Sequence, residues 1–124
     1  MGGRDPVHLF DKLTANSPFL GAVVLDAQGL VLAGSLDLGE ARAELLGAIL
    51  NTAVAEARRT TELLGLGAWD GLLMDCADAT LHVSALDDET VVLLAAGTDA
   101  PAGWIVRTAE RARELARSFM EVTT

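Results

Sequence analysis

Hydrophobic residues recur at helical spacing over residues 38–64, the longest patterned stretch of the chain. At about 100° per residue, one line of this predicted helix is entirely apolar, and Leu45 and Ile49 flank it on one side while Ala43 and Val54 flank it on the other. The members of the line are Leu46, Leu50, Ala53, Ala57 and Leu64. The apolar arc covers roughly 180°, whereas packing on one sheet needs about 100°. The pattern therefore predicts two partners for this helix, the chain's own sheet and a second copy of the chain.

Five short apolar runs predict β-strands on either side of this helix. The first is continuous and ends in a tight turn at Gly29, which favours a strand buried on both faces with an antiparallel hairpin partner. Turns of about three residues separate the last three runs, so those neighbours must be antiparallel. The predicted strands cover residues 19–25, 30–36, 69–76, 80–86 and 90–97.

Two further helices complete the pattern. Asp5 and Pro6 favour a helix start, and apolar spacing extends that helix to residue 15. The last helix is predicted over residues 104–122, with an apolar inner stripe formed by Trp104, Thr108, Ala112, Leu115 and Phe119. The element order α-β-β-α-β-β-β-α predicts a single α+β domain over residues 1–124, a five-stranded antiparallel sheet with helices on its faces.

Composition narrows the class of protein. The chain has 124 residues, 51% of them hydrophobic, and its mean hydropathy of +0.35 is too high for a disordered chain. Its apolar runs stay far below the roughly 18 residues of a membrane span, and the N-terminus lacks a signal-peptide pattern, so a cytoplasmic location without membrane contact is expected. A net charge of −9 argues against nucleic-acid binding, because that binding needs clustered cations. The lone Cys76 fits a reducing compartment and is interpreted as an inert, half-buried thiol.

Motifs for nucleotide, metal or cofactor binding are missing from the sequence. The only lysine is Lys12, inside a predicted helix, so a P-loop is excluded, and Gly65-Leu66-Gly67 is interpreted as a helix stop. His8, Cys76 and His82 lack the paired spacing of a zinc site. Residues 87–89 are interpreted as a solvated hairpin turn rather than a calcium loop. No catalytic, cofactor-binding or metal-binding residue is therefore predicted.

Two pairs of polar residues that are close in sequence could have a catalytic or an electrostatic role. His82 and Ser84 lie on one face of a strand, but at roughly 6.5–7 Å apart and without an orienting carboxylate they are weak candidates for hydrolytic catalysis. Arg58 has Glu62 four residues later, which favours an ion pair on a solvated helix face over a partner contact.

Three segments carry a resemblance to a known family: FLGAVVLDAQGLVLAGS, LLGAILNTAVAEARRT, and WDGLLMDCADATLHVSALDDETVVLLAAG followed by a helix. Together they resemble the Roadblock/LC7 domain over about residues 6–122. The resemblance implies a homodimer, or a heterodimer with a paralogous Roadblock chain. In that dimer the third strand pairs with its copy, and the two long helices lie side by side. It also implies a Ras-like small GTPase as partner, as in the bacterial MglB-like branch, with any effect on hydrolysis exerted through the GTPase's own site.

Mapped onto this chain, the resemblance places the dimer interface on one flank of the long helix and on the third strand. One flank comprises Leu45, Ile49, Thr52 and Glu56, and the opposite flank comprises Ala43, Gly47 and Val54. Periodicity does not choose between them. The strand contributes Leu72, Met74 and Cys76, and the candidates for GTPase contact are Arg42, Arg58 and Arg59.

The leading hypothesis is a non-catalytic dimeric regulator or scaffold for a small GTPase, without a cofactor. The alternative is a small-molecule sensor of profilin-like fold, in which the extra apolar arc lines a cavity and the protein is a monomer. A third hypothesis, a hydrolase built on His82 and Ser84, predicts loss of activity on His82→Ala.

Overall fold

The computed structural model describes residues 6–13, 19–36 and 40–123, with the side chains of residues 40–51 and 122–123 excepted. Two 3₁₀ turns, η1 and η2, precede five strands and two long helices. In chain order the elements are η1 Pro6–His8, η2 Asp11–Leu13, β1 Phe19–Leu25, β2 Val31–Leu36, α1 Glu40–Leu63, β3 Gly71–Asp75, β4 Thr80–Ala85, β5 Val91–Ala96 and α2 Ala102–Thr123.

The five predicted strands and both long helices are confirmed, and their ends shift by no more than two residues where the structure describes them. The predicted first helix is wrong, because its described part forms η1 and η2. Phe10 and Leu13 are buried and stand three residues apart, which aligns them on one side of a 3₁₀ turn as well as on an α-helix. So short a helix has little stability of its own, and packing decides its form. The predicted ends at Asp5 and at residues 16–18 lie outside the described residues.

The strands form one antiparallel sheet in the order β2-β1-β5-β4-β3. The central strand β5 has all six residues buried, as its uninterrupted apolar sequence predicts. Its neighbour β1 is likewise apolar and pairs with it through Val23 and Leu93. Strands β2 and β3 therefore form the two edges of the sheet.

Each face of the sheet carries its own hydrophobic cluster. Alternation along β5 sends Leu94 to one face and Leu93 to the other. The α2-side cluster contains Phe10 and Leu13 of the 3₁₀ turns together with Ile105 and neighbouring residues of α2. The α1-side cluster contains Val23, Leu25, Val54, Trp69, Val83, Val91 and Leu93. The two long helices therefore lie on opposite faces of the sheet.

The buried face of α2 is turned slightly from the predicted stripe. Thr108 and Ala112 are buried as expected, whereas Trp104, Leu115 and Phe119 are only partly buried at its margins. The centre of the contact consists of Ile105, Ala109, Ala112 and Ala116. Alanine side chains let the helix backbone approach the sheet closely, and the larger side chains then cover the flanks.

Helix α1 ends in the glycine-containing turn that the sequence predicts. Gly65 has φ of +66° and donates its N–H to the carbonyl of Glu62 at 3.2 Å. Leu66 donates its N–H to the carbonyl of Thr61 at 2.9 Å. These two bonds define a Schellman motif, which satisfies carbonyls that the end of a helix leaves without partners.

Candidate interaction surface

The sheet order ends at β3, so within residues 6–13, 19–36 and 40–123 no strand pairs with its outer edge. Hydrogen bonds at both ends of the β3–β4 pairing show which backbone groups point outward. Ala85 donates its N–H to the carbonyl of Asp70 at 3.1 Å, and Cys76 donates its N–H to the carbonyl of Ala79 at 3.0 Å. Bonded and non-bonded positions alternate in an antiparallel ladder, so the even-numbered residues of β3 bond to β4. The odd-numbered residues turn their backbone groups outward.

The outward-facing backbone groups belong to Gly71, Leu73 and Asp75. Such a row of N–H and C=O groups is a template for pairing with another strand. On the α1 side of the sheet, the side chains of Leu72 and Met74 are only partly buried by their own chain. This edge thus combines free backbone groups with incompletely covered apolar side chains, which is the chemistry of a strand-pairing interface.

Cys76 departs from the prediction. It was expected to be half-buried at the end of a strand, but β3 ends at Asp75 and the Cys76 thiol is exposed. Its sulfur lies 4.0 Å from the carbonyl oxygen of Met74. The residue lies at the end of the candidate edge rather than within its partly buried row.

The described part of α1 shows which line of the helix faces the sheet. Val54 is 7% exposed and belongs to the α1-side cluster, while Thr52 and Glu56 are exposed. The described Val54 thus packs on its own sheet, and Thr52 and Glu56 point away from it. The side chains of the other helix candidates, Arg42, Ala43, Leu45, Gly47 and Ile49, lie outside the described residues.

Helical periodicity puts Leu64 on the apolar line of the predicted helix, but the structure does not bury its side chain. Its side chain is 65% exposed. The reason is that α1 ends at Leu63, so Leu64 already belongs to the turn that reverses the chain. Helical spacing predicts the direction of a side chain only for residues within the helix.

Arg58 and Arg59 contact different neighbours. The half-buried Arg58 donates from Nη2 to the carbonyl of Asp87 at 3.4 Å, in place of the predicted ion pair with Glu62. Arg59 lies 4.0 Å from the Glu56 carboxylate, and both side chains are largely exposed. Arg58 thus helps to hold α1 against the β4–β5 hairpin, whereas Arg59 faces solvent.

The β4–β5 hairpin is the solvated turn that the sequence predicts. Oδ1 of Asp87 accepts backbone N–H bonds from Glu89 and Thr90, both at 2.8 Å. Partial burial disfavours the charged form of Asp87, but these hydrogen bonds and the charge of Arg58 outweigh it and hold the pKa of the carboxyl below its usual value. The carboxylate is therefore ionised at neutral pH and closes the turn.

His82 and Ser84 lie on the α2 side of β4, and their arrangement differs from that of a catalytic pair. Ser84 is 1% exposed, and neither its Oγ nor His82 Nδ1 has a hydrogen-bond partner among the described residues. Among the described residues, His82 Nδ1 therefore has neither a bonded nucleophile nor an orienting carboxylate. Burial, and after it the charge of Arg113, lowers the pKa of His82, so the ring is neutral at pH 7.

The lowered pKa of His82 predicts a pH-dependent stability. Below its ordinary pKa of 6.5 the unfolded chain binds a proton that the folded chain resists, so the free energy of unfolding should fall as the pH drops from 7 towards 5. In His82→Gln this component should vanish and the profile should be flatter. Urea unfolding at fixed protein concentration measures both profiles. A variant as pH-sensitive as the parent would contradict the assignment to His82.

The described residues offer neither a metal-ligand cluster nor a membrane-spanning helix. No group of three or more His, Cys, Asp or Glu side chains within residues 6–13, 19–36 and 40–123 could hold a metal ion. In the same part of the chain, neither long helix is apolar enough to cross a membrane.

An antiparallel five-stranded sheet with a long helix on each face defines a class of small α+β domains. Within that class, the chain belongs to the Roadblock/LC7 domain family, whose model matches residues 8–96. None of the curated proteins matches the chain.

Solved structures share this fold. A Roadblock/LC7 domain from Streptomyces avermitilis superposes with a TM-score of 0.82 at 20% identity, covering 95% of this chain and 99% of that chain. The gliding protein MglB from Thermus thermophilus gives 0.79 at 19% identity, with coverages of 94% and 88%. MglB from Myxococcus xanthus gives 0.80 at 14% identity, with 94% of each chain covered. At these identities the likeness establishes the fold.

Proposed function

We propose that this chain is a non-catalytic, dimeric regulator or scaffold that binds a Ras-like small GTPase in the cytoplasm. The observation that carries the proposal is the open edge of β3 in a Roadblock/LC7 domain, with Leu72 and Met74 incompletely covered beside it. In the proposed dimer β3 pairs with its copy, or with the same strand of a paralogous Roadblock chain. Pairing would satisfy the outward backbone groups of both strands.

The α1 side of the sheet supports the same arrangement. Near β3 this face is formed by Leu72, Met74 and Leu81, all of them only partly buried. A second α1 lying beside the first would complete their burial and would also account for the wide apolar arc of the helix. Because Val54 packs on its own sheet, we place the helix contact on the flank that contains Thr52 and Glu56.

The proposed regulatory role rests on family membership and on the MglB fold neighbours. His82 and Ser84, the only catalytic candidates from the sequence, are not arranged as a nucleophile and base. The resemblance to the MglB-like branch implies that any effect on GTP hydrolysis would act through the GTPase's own residues. Arg59 is the more accessible candidate contact, since Arg58 is held by the hairpin carbonyl of Asp87.

Calorimetric titration tests whether the chain binds a Ras-like GTPase. A Ras-like GTPase encoded beside this gene, loaded with GDP or with a non-hydrolysable GTP analogue, would be titrated calorimetrically into the purified chain. Binding that prefers one nucleotide state is expected. Arg59→Ala should weaken it, while Arg117→Ala on the exposed face of α2 serves as a matched control. Absence of binding in both nucleotide states would refute the GTPase role and leave the dimer proposal intact.

A charge on the proposed helix flank should separate the protomers. In sequence, Ile49 precedes Thr52 by three residues and Glu56 by seven, the spacing of one helical face. Ile49→Asp would desolvate a carboxylate in the interface at a cost of several kcal/mol, so sedimentation should show monomers. Ala55→Asp, at an exposed position of α1, is the control. An intact Ile49→Asp dimer would exclude this flank, and a monomeric parent protein would favour the small-molecule sensor.

A further inference from the structure

Three leucines at the end of α1 are turned out to solvent. Leu63, Leu64 and Leu66 are 77%, 65% and 70% exposed and lie within four consecutive positions. Single exposed apolar side chains are ordinary on a protein surface, whereas several large ones exposed within one short segment are typical of an interaction site. We refer to these three residues as the leucine patch.

The backbone of the patch is held by hydrogen bonds. The two Schellman bonds close the turn, and Gly65 supplies the left-handed conformation that this turn needs. Such motifs usually include an apolar contact between the residues at the positions of Leu66 and Thr61. Here Thr61 offers little apolar surface, and Leu66 remains in solvent. The leucines are thus displayed on a hydrogen-bonded turn.

A groove of about 430 Å³ lies in the same region, between the last turns of α1 and the β4–β5 hairpin. It is lined by Trp69 and Ala85, and Trp69 is 8% exposed and packed in the α1-side cluster. An indole held in this way gives the groove a rigid apolar wall. The three leucines do not themselves line the groove, but they belong to the segment from Glu62 to Trp69, and both ends of that segment line it.

The groove is acidic. Among its described lining residues, Glu62, Asp87 and Asp88 stand against a single cation, Arg58, which is engaged with the Asp87 carbonyl. The hydrogen bonds to Asp87 keep its carboxylate ionised at neutral pH. A groove with carboxylates and an indole wall, next in sequence to exposed leucines, complements a ligand that combines apolar and cationic groups.

We propose that the leucine patch and the acidic groove together dock an amphipathic segment of a partner protein, with apolar side chains on one face and Lys or Arg beside them. This docking surface goes beyond the proposed function, since it requires neither a GTPase nor the β3 edge. A second copy of this chain fits poorly, because a two-fold contact would bring the acidic rims together and the chain carries a net charge of −9.

The probe is a synthetic helix-forming peptide with leucines at helical spacing and lysines on its remaining face. A counterpart with glutamate in place of lysine is the charge control. Trp104→Phe leaves Trp69 as the only tryptophan, so its fluorescence reports directly on the groove. The lysine peptide should bind saturably and shift the Trp69 emission, and the glutamate peptide should not.

Two pairs of variants distinguish binding at the leucine patch and the groove from a general attraction between the cationic peptide and the acidic protein. Replacing all three patch leucines by serine should weaken peptide binding at least tenfold, whereas Leu20→Ser with Leu30→Ser, at exposed positions elsewhere, should leave it unchanged. Glu62→Lys with Asp88→Lys should weaken binding to a similar extent. Asp78→Lys with Asp99→Lys, which makes the same charge change at exposed turns, should have little effect.

Three outcomes would overturn the proposal. The first is equal binding of the two peptides, and the second is equal loss of binding in the site variants and their controls. The third is a change of oligomeric state in the leucine-to-serine variant, measured by sedimentation, which would assign the patch to a second copy of the chain. None of these measurements includes a GTPase, so a failure here is distinguishable from a failure of the GTPase proposal.

Discussion

Leu73→Pro is expected to convert the proposed dimer to a folded monomer. The backbone N–H of Leu73 points away from β4, so proline at this position removes no bond of the chain's own sheet. In the proposed β3 pairing it would leave one acceptor without a donor in each protomer. At about 1–3 kcal/mol for each unsatisfied group, this is roughly 2–6 kcal/mol per dimer, or a 30-fold or greater rise in the dissociation constant.

Sedimentation equilibrium measures this change, and circular dichroism confirms that the fold is retained. Leu73→Ala is the matched control, because it shortens the same side chain, which is 45% exposed, yet keeps the N–H group. The alanine variant should remain a dimer. If the proline variant also remained a dimer, β3 pairing would be refuted and the interface would have to lie elsewhere.

Gly34→Ala is expected to be among the most destabilising small substitutions in the chain. Gly34 lies in β2 with φ of +85°, and a Cβ there would collide with the carbonyl oxygen of Ala22 and lie 2.8 Å from the Phe10 ring. The collision can be relieved only if the β1–β2 pairing is distorted or the Phe10 ring moves from its packed position. We expect a loss of roughly 3–5 kcal/mol, and a Tm lower by about 10 °C or more.

Gly67→Ala separates backbone strain from the collision. Gly67 has a similar φ of +89°, but a Cβ there meets nothing within 4 Å. Its cost should be about 1 kcal/mol, that of placing alanine in a left-handed conformation. Thermal unfolding of both variants at one protein concentration gives the comparison. Equal losses would mean that the close approach of β1 and Phe10 contributes nothing.

The strands of this protein were predictable because their signals are local. In β4, Leu81 and Val83 alternate with His82 and Ser84, and the structure sends the two pairs to opposite faces of the sheet. The alternation does not by itself show how deeply the polar pair is buried. Ser84 is 1% exposed because α2 covers the second face, and coverage by a distant helix leaves no mark on the strand's own sequence.

The candidate surfaces were only partly predictable. Leu72 and Met74 are named from the resemblance to the Roadblock/LC7 domain, whereas the outward-facing backbone groups of Leu73 depend on the pairing register with β4. Arg58 illustrates the same limit, because its i,i+4 neighbour Glu62 was the natural local partner and the structure gives it a carbonyl 29 residues away. The leucine patch was missed, although three leucines around a helix stop cannot all follow the helix face.

The sequence by itself determined the five strands, the two long helices, the glycine stop after α1 and the absence of nucleotide and metal motifs, because each depends on residues close together in the chain. Only the tertiary structure decided that β3 is an edge with three residues turned outward, that Val54 faces the sheet, and that Glu62, Asp87 and Asp88 line one groove with Trp69. The physical reason is that an edge, a buried face and a groove exist only where distant segments meet. Their identity therefore follows from pairing and packing across the whole chain.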